Sequence, residues 1–508
     1  MSSKILSAAV IGLNAEIVDV EADKGGGELG AFTIVGLPDA AISESRERVR
    51  SAIKNTGYYF KKSKTTVNLA PADLKKHGPS YDLPIAISVL CAHDSIHIKK
   101  PTDKMLFVGE LALSGELRPV NGILPIALRA KEKGIQTIFV PKENAPEAKL
   151  VKHLEIIPVN DLKSLILHLE GKKTISELPE SQINFSNIKI MHDMSHIRGQ
   201  EHVKRAMEIS AAGAHNMNMS GPPGSGKTLI AKTMPSILPD LTLDEALEIT
   251  KIYSVAGLLS SENSLVTSRP FRSPHHSASA VALVGGGVWP KPGEISLSHR
   301  GVLFLDEFPE FPRSALENLR QPLEDGIIHI SRASGNLQFP AKFILVAAMN
   351  PCPCGFSSDP EKKCVCSPSQ TINYKKKISG PILDRIDIHV EVPRVKFDKL
   401  SSQAEGETSE VIKKRVEKAR AIQKARFKNE PFFTNSEMSS EAVKRYCPIN
   451  EESRFLLKAA IDQLHLSARA YFRILKLART IADLTENQEI DSSHIAEALT
   501  YRPKVEEL

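Results

Sequence analysis

Apolar positions in the first third of the chain switch between two spacings. SKILSAAVIGL, FTIVGL and TTVNLA are short runs of strand type. From Asp39 the spacing becomes helical through Lys54, with Glu44, Arg46, Glu47, Arg48 and Arg50 grouped on one face. LPIAISVL, residues 83–90, is apolar on all sides and predicts a buried helix after the Gly78-Pro79 turn. TIFV after Gly134 predicts a further strand. Residues 1–170 therefore predict an α+β domain, and the polar, weakly patterned residues 171–190 a linker. In residues 191–395 the strand-like runs MNMS, VLFLD and FILVAAM are apolar throughout, as in parallel strands covered on both faces. From 396 to 508 the pattern turns helical, through EVIKKRVEKARAIQKARF, Ala468 to Leu484 and the short tail SSHIAEALTYR. The whole reads as an α/β multidomain chain without internal repeats or low-complexity stretches.

Composition narrows this picture. The length of 508 residues allows about three domains at roughly 150 residues each. Hydrophobic residues make up 41% and charged residues 25%, enough for real cores, while 5% aromatics argues against an aromatic-rich all-β architecture. The 66 basic and 60 acidic residues leave +6, which permits nucleic acid as a partner without demanding it. No apolar run approaches the roughly 18 residues of a membrane span, and the N-terminus reads as a first strand, so a cytoplasmic protein with no membrane partner is expected. Six cysteines are few for a disulfide framework, and four of them lie between 352 and 366.

The strongest chemical signal is Gly221-Pro222-Pro223-Gly224-Ser225-Gly226-Lys227-Thr228, which fits the G-x-x-x-x-G-K-[ST] phosphate loop. It follows a strand-like run and precedes a helix-like one, the context the motif needs. The loop's N–H groups would face phosphates, Lys227 would reach the β- and γ-phosphates of ATP, and Thr228 would ligate Mg²⁺. Val302-Leu-Phe-Leu-Asp306-Glu307 supplies an apolar strand ending in carboxylates. Asp306 would hold Mg²⁺, and Glu307 would polarise the attacking water. A third run, from Phe343, ends at Asn350, which could orient the same water.

Cys352-x-Cys354 and Cys364-x-Cys366 flank nine residues rich in turn formers and lysine. Four thiolates there suit a tetrahedral structural Zn²⁺ in an insertion spanning 351–369, although C-x-C is tighter than the usual C-x₂-C. Buried thiols or a redox pair are the alternatives. Ile327 to Asn336 predicts a hairpin with Arg332 near its tip. Gly285 to Gly293 places the only Trp of the chain, Trp289, beside Lys291. Trp for base stacking and Lys for phosphate suit single-stranded nucleic acid, while a Trp anchoring its loop to the core and a solvated hairpin Arg are the plainer readings. His275 and His276 are read as structural.

In order along the chain, RPFRSPHH, ALVGGG, PGEISLSHRGVLFLDEFPEF, LRQPLEDG, AAMNPCPCG, SGPILDRIDIHVEVP and LSARAYFRILKLARTIADL resemble the magnesium-chelatase-like AAA+ ATPases. With its N-terminal part included, nearly the whole chain resembles the YifB/ComM family. That resemblance implies a Lon-like N-terminal domain, a central AAA+ core and a C-terminal helical lid. It also implies that Asn350 is sensor 1, that Arg385 is an arginine finger acting on a neighbouring subunit, and that Arg469 is sensor 2, with Arg473 as competitor. A surface Arg385 paired with Asp384 or Asp387 is the alternative. Trp289/Lys291 and the Arg332 hairpin become pore elements. The resemblance further implies a homo-hexamer that drives branch migration on single-stranded and branched DNA during natural transformation, alongside recombination proteins. An ATP-dependent unfoldase or protease and a metal-chelatase-type ATPase are the rival activities. The Lon-like reading also puts Ser80, after Gly78-Pro79, where Lon carries its nucleophile, but Leu124 stands where the partner Lys should be, so Ser80 is expected to be a helix N-cap.

Overall fold

The computed structural model describes residues 2–25, 30–37, 39–59, 63–179, 192–260, 263–287, 289–332, 335–359, 361–395, 406–464 and 466–503. Contacts divide the chain into two compact units, residues 1–184 with 246–266, and residues 185–245 with 267–508.

The first unit is built on a mixed seven-stranded sheet. Its strands are β1 (Ser2–Ile11), β2 (Asn14–Gly25), β3 (Phe32–Val35), β4 (Lys64–Ala70), β5 (Met105–Phe107), β6 (Thr137–Pro141) and β7 (Glu155–Val159), in the order β3-β4-β2-β1-β5-β6-β7. β1, β2 and β4 pair antiparallel, while β5, β6 and β7 run parallel to β1. Side chains alternate across the sheet, so it separates two cores. Ile5, Ala9, Phe107 and Phe139 face α1 (Ala40–Asn55), α2 (Asp82–Ala92) and a later helix from Leu162 to Leu169. Ala8, Leu106, Ile138 and Val140 face α3 (Ile123–Glu132). Asp39 starts α1 as the pattern predicts, its Oδ1 accepting the Ile42 N–H at 2.8 Å.

Residues 171–179 are part of this unit rather than a free connection. Ile175 packs on its core, Leu178 N–H donates to the Ile156 carbonyl, and Lys149 pairs with Glu177 at 2.5 Å. The rest of the expected linker, 180–190, lies outside the described residues. Ser80 is not an N-cap. It sits inside a short 3₁₀ turn, Pro79–Tyr81, and Tyr81 precedes α2 without a side-chain cap.

The first unit is completed by residues that come much later in the chain. The helix Leu243–Ala256 enters it at Ala246. Ile249 and Ile252 are fully buried, and Leu247 packs on the core around α3. Ser254 donates its hydroxyl to Glu147 at 2.5 Å, and its carbonyl takes the Gly122 N–H. Burial pushes the Glu147 carboxyl up from its ordinary range, against the downward pull of Ser254 and the Leu124 N–H.

The second unit holds five parallel strands, β8 (Met217–Ser220), β9 (Phe271–Arg272), β10 (Val302–Leu305), β13 (Ile344–Met349) and β14 (Ile388–Glu391), in the order β9-β10-β13-β8-β14. Between β10 and β13 lie a short helix, Arg320–Asp325, and an antiparallel hairpin of β11 (Ile327–Arg332) and β12 (Gly335–Pro340). β10 and β13 are buried at every position, as strands covered on both faces must be. The C-terminal helices Ser409–Arg426, Ala468–Leu484 and Ser492–Thr500 share one continuous core with this sheet, through Ile412, Val416, Ile474 and Ile495. The fold is thus mixed α/β, with a central parallel sheet and a helical C-terminus. No helix among the described residues is long and apolar enough to cross a membrane.

Candidate functional site

Parallel strands deliver their C-terminal ends to one edge of a sheet, and ligands gather there. β8 ends at Ser220 and opens into the phosphate loop, β10 ends before Asp306, and β13 ends before Asn350. The registers Ser220↔Met349 and Leu305↔Ala347 bring the three ends together. Gly226 begins the next helix, Lys227–Ile237, at φ 90°, in the left-handed region that a side chain resists.

The ammonium of Lys227 lies among three oxygens, Gly221 O at 2.6 Å, Pro222 O at 2.9 Å and Asn350 Oδ1 at 3.3 Å. Burial lowers its pKa from the ordinary lysine value, partly offset by the Asp306 charge. The Thr228 hydroxyl donates to Asp306 Oδ2 at 2.7 Å, and Asp306 Oδ1 takes the Glu307 N–H at 2.9 Å. The hydroxyl and the carboxylate form a pair of hard oxygen donors that suits Mg²⁺. In the same loop the Ser225 hydroxyl is buried without a hydrogen-bond partner, as an anion-cradling loop would leave it. The residues present therefore fit a Mg²⁺-bound nucleoside triphosphate.

Glu307 takes a left-handed backbone (φ 53°), unusual for a side-chain-bearing residue, and its Oε2 lies 2.9 Å from His276 Nδ1. His276, read from the sequence as structural, is thus the partner that Glu307 finds. His276 follows closely on β9, the strand next to β10, so its position at a neighbouring strand end was the available signal.

Arg385 lies at the other edge of the sheet. β14 begins at Ile388, opposite Met217, the first residue of β8, and Arg385 precedes that point. The phosphate loop lies past the last residue of β8, about 10 Å of strand away. The Arg385 guanidinium pairs with Glu324, not with Asp384 or Asp387, and donates to the Pro381 carbonyl at 2.7 Å. Arg473 is committed to the Arg385 carbonyl at 2.9 Å and to Asp387 at 2.5 Å. Arg469 is exposed, and its field acts on Glu324 together with those of Arg385 and Arg473. Both candidate arginines are thus gathered at the edge opposite the phosphate loop.

The four cysteines Cys352, Cys354, Cys364 and Cys366 bring their Sγ atoms within 4.8 Å of one another. Three of the separations are 3.4, 3.6 and 3.7 Å. A tetrahedral Zn²⁺ with Zn–S bonds of about 2.3 Å requires S···S edges of about 3.8 Å. The set is far wider than a disulfide and close to that tetrahedron. Arg394 braces the loop through Asp359 at 2.8 Å.

Trp289 is half-buried in the turn of a small hairpin formed by Gly285–Gly286 against Lys291–Pro292, with Lys291 exposed. The base of that loop is tied by Arg272 to Glu294 at 2.6 and 2.7 Å. Arg332 stands opposite Gly335 in the last pair of the β11–β12 ladder. Residues 333 and 334 and the Arg332 side chain lie outside the described part of the structure. In the first unit, Leu124 is fully buried at the start of α3.

Comparison with known proteins gives matches in three consecutive parts. Residues 193–400 match the family profile "Magnesium chelatase, subunit ChlI". Residues 18–144 match "Subunit ChlI of Mg-chelatase", and residues 406–502 match "Magnesium chelatase, subunit ChlI C-terminal". The competence protein ComM of Haemophilus influenzae is 44% identical over 511 residues, covering 99% of this chain and 97% of that protein. The uncharacterized protein YifB of Escherichia coli K12 is 44% identical over 501 residues, 98% of this chain and 97% of its own. A Lon protease of Lachnoclostridium phytofermentans is 26% identical over 151 residues, 27% of this chain and 18% of that protein.

Proposed function

Because this chain belongs to the YifB/ComM family of magnesium-chelatase-like AAA+ ATPases, we propose that it is a hexameric, ATP-driven DNA motor. Its substrates are single-stranded and branched DNA, and its service is branch migration during recombination of incoming DNA. One observation carries the ring. Lys227, Thr228, Asp306 and Asn350 meet at one sheet edge while Arg385 and Arg469 sit at the other. An arginine so placed suits a phosphate held by another copy, and head-to-tail contacts of that kind generate a ring when the rotation between copies closes. The choice of DNA is supported by the competence role in the name of a relative 44% identical over almost the full chain.

In this reading residues 191–395 are the ATPase core, 396–508 its lid and 1–170 a Lon-like domain used without peptidase chemistry. Lys227 neutralises phosphate charge, and Thr228 and Asp306 are the ligands offered to Mg²⁺. Glu307 turns from His276 to take a proton from the attacking water, which Asn350 orients. Arg385 and Arg469 stabilise charge on the nucleotide of the next subunit. Trp289 stacks on bases, and Lys291 and Arg332 meet phosphates. The four cysteines hold a structural Zn²⁺ that fixes the loop following Asn350.

The experiment that tests this function is ATP-dependent migration of a three-strand or four-way homologous junction. Wild-type protein is expected to move the branch, and Glu307→Gln to bind the junction and leave it in place. An intact ATPase that never moves a junction would defeat the DNA motor and favour the unfoldase or chelatase rival. The metal assignment has its own expectation. Freshly purified protein should carry about one Zn²⁺ per chain by elemental analysis, and Cys352→Ser should lose it. Zinc-free protein would rule out the tetrahedral site.

A further inference from the structure

An arginine that serves a neighbouring subunit must be free to extend, yet Arg385 is folded back. Its side chain is only 11% exposed. One terminal nitrogen pairs with Glu324 and the other with the Pro381 carbonyl, while Nε is buried without a partner. In this pose the guanidinium is held inside its own chain by Glu324 and the Pro381 carbonyl.

Glu324 belongs to the short helix Arg320–Asp325. That helix grips the Arg385 segment twice from positions one turn apart. Arg320 donates to the Ser379 hydroxyl at 3.1 Å, and Glu324 takes the Arg385 guanidinium. Neighbouring positive charge from Arg469 and Arg473 adds to the Arg385 pairing in holding the Glu324 carboxyl below its ordinary range. A single residue, Gly326 at φ 66°, separates the helix from the hairpin. Its carbonyl accepts the Ala341 N–H at 2.8 Å, which closes the hairpin base, and the ladder runs unbroken from Ile327↔Pro340 to Arg332↔Gly335. The hairpin is therefore a stiff lever joined directly to the helix that holds Arg385.

We propose that Glu324 is a positioning residue that restrains the Arg385 guanidinium until nucleic acid loads the β11–β12 hairpin, whose displacement frees the arginine for the adjoining subunit. The proposal rests on the proposed readings of Arg385 as a finger and of the β11–β12 hairpin as a DNA contact. It makes one carboxylate the link between DNA contact and hydrolysis. The pose held by Glu324 and the extended pose a finger requires would then be the two states that DNA biases.

The test compares steady-state ATP turnover with and without a single-stranded oligothymidylate, for wild type, Glu324→Gln, Glu324→Ala, Arg385→Ala and the Glu324→Gln/Arg385→Ala double variant. Glu324→Gln and Glu324→Ala are expected to raise DNA-free turnover by about five-fold or more, the lower end of site-to-site coupling, and to bring the DNA-stimulated ratio towards unity. The double variant is expected to be as inactive as Arg385→Ala alone. Unchanged DNA-free turnover in a folded, hexameric Glu324→Gln overturns the restraint. So does a loss of turnover both with and without DNA, since Glu324 would then be orienting the arginine productively. Full turnover in Arg385→Ala alone would instead remove the finger reading beneath it.

Discussion

Arg385→Ala is expected to cut ATP turnover by about 10³-fold or more while ATP binding persists, because an arginine finger contributes about 10³–10⁵ to the rate of phosphoryl transfer. Arg385 lies at the N-terminal edge of the sheet, beside the first residues of β8 and β14, and the phosphate loop lies past the other end. In the proposed ring the loss therefore falls on the neighbour's site. Mixing tests that directly. In rings made with Glu307→Gln subunits, a site can combine the intact Glu307 of an Arg385→Ala subunit with the intact Arg385 of its neighbour. Turnover should therefore recover on mixing two inactive proteins. Mixtures that stay inactive would place Arg385 in a structural role.

Lys227→Ala carries the second large effect, on binding itself. The Lys227 ammonium is drawn in by three oxygens of the loop and of Asn350 and is largely buried. A charge-assisted bond to phosphate is worth about 1.5–3 kcal/mol, so its removal should weaken ATP binding roughly ten- to hundred-fold and abolish turnover. Titration with a fluorescent ATP analogue reads the affinity. A thermal melt of the nucleotide-free protein separates lost binding from lost folding, because the three oxygens also lose their donor. Lys227→Ala protein that still hydrolyses ATP would disprove the phosphate-loop assignment.

The parts of this site that were legible in the sequence are those whose chemistry is local. The phosphate loop needs small residues, one cation and one hydroxyl within a single turn, and Asp306 needs only an apolar strand before it. The runs MNMS, VLFL and ILVAAM form strands as their patterning requires. The helix opened by Asp39 starts where its cap predicts. What the chain did not disclose depends on distant pairing. Arg385 finds Glu324 rather than the two aspartates beside it in sequence, because the short helix Arg320–Asp325 lies across its segment. His276 meets Glu307 only because β9 and β10 are neighbours in the sheet. Ser80 was misread as a cap because the Gly78-Pro79 turn continues as a 3₁₀ turn before α2 begins. Residues 171–179 look like a linker by composition, but Lys149 and the Ile156 carbonyl hold them in place.

The recruitment of residues 246–266 by the first unit bears on how the protein is made. On the ribosome, chain segments emerge in order, and domains generally fold as units once their residues are available. Here the N-terminal unit is still incomplete when its own continuous stretch has been synthesised. The apolar surface reserved for Leu247 and the Glu147 carboxylate that awaits Ser254 stay uncovered until the phosphate loop and its helix have also left the exit tunnel. The nascent chain thus carries a first unit without its last helix while the second unit is being started.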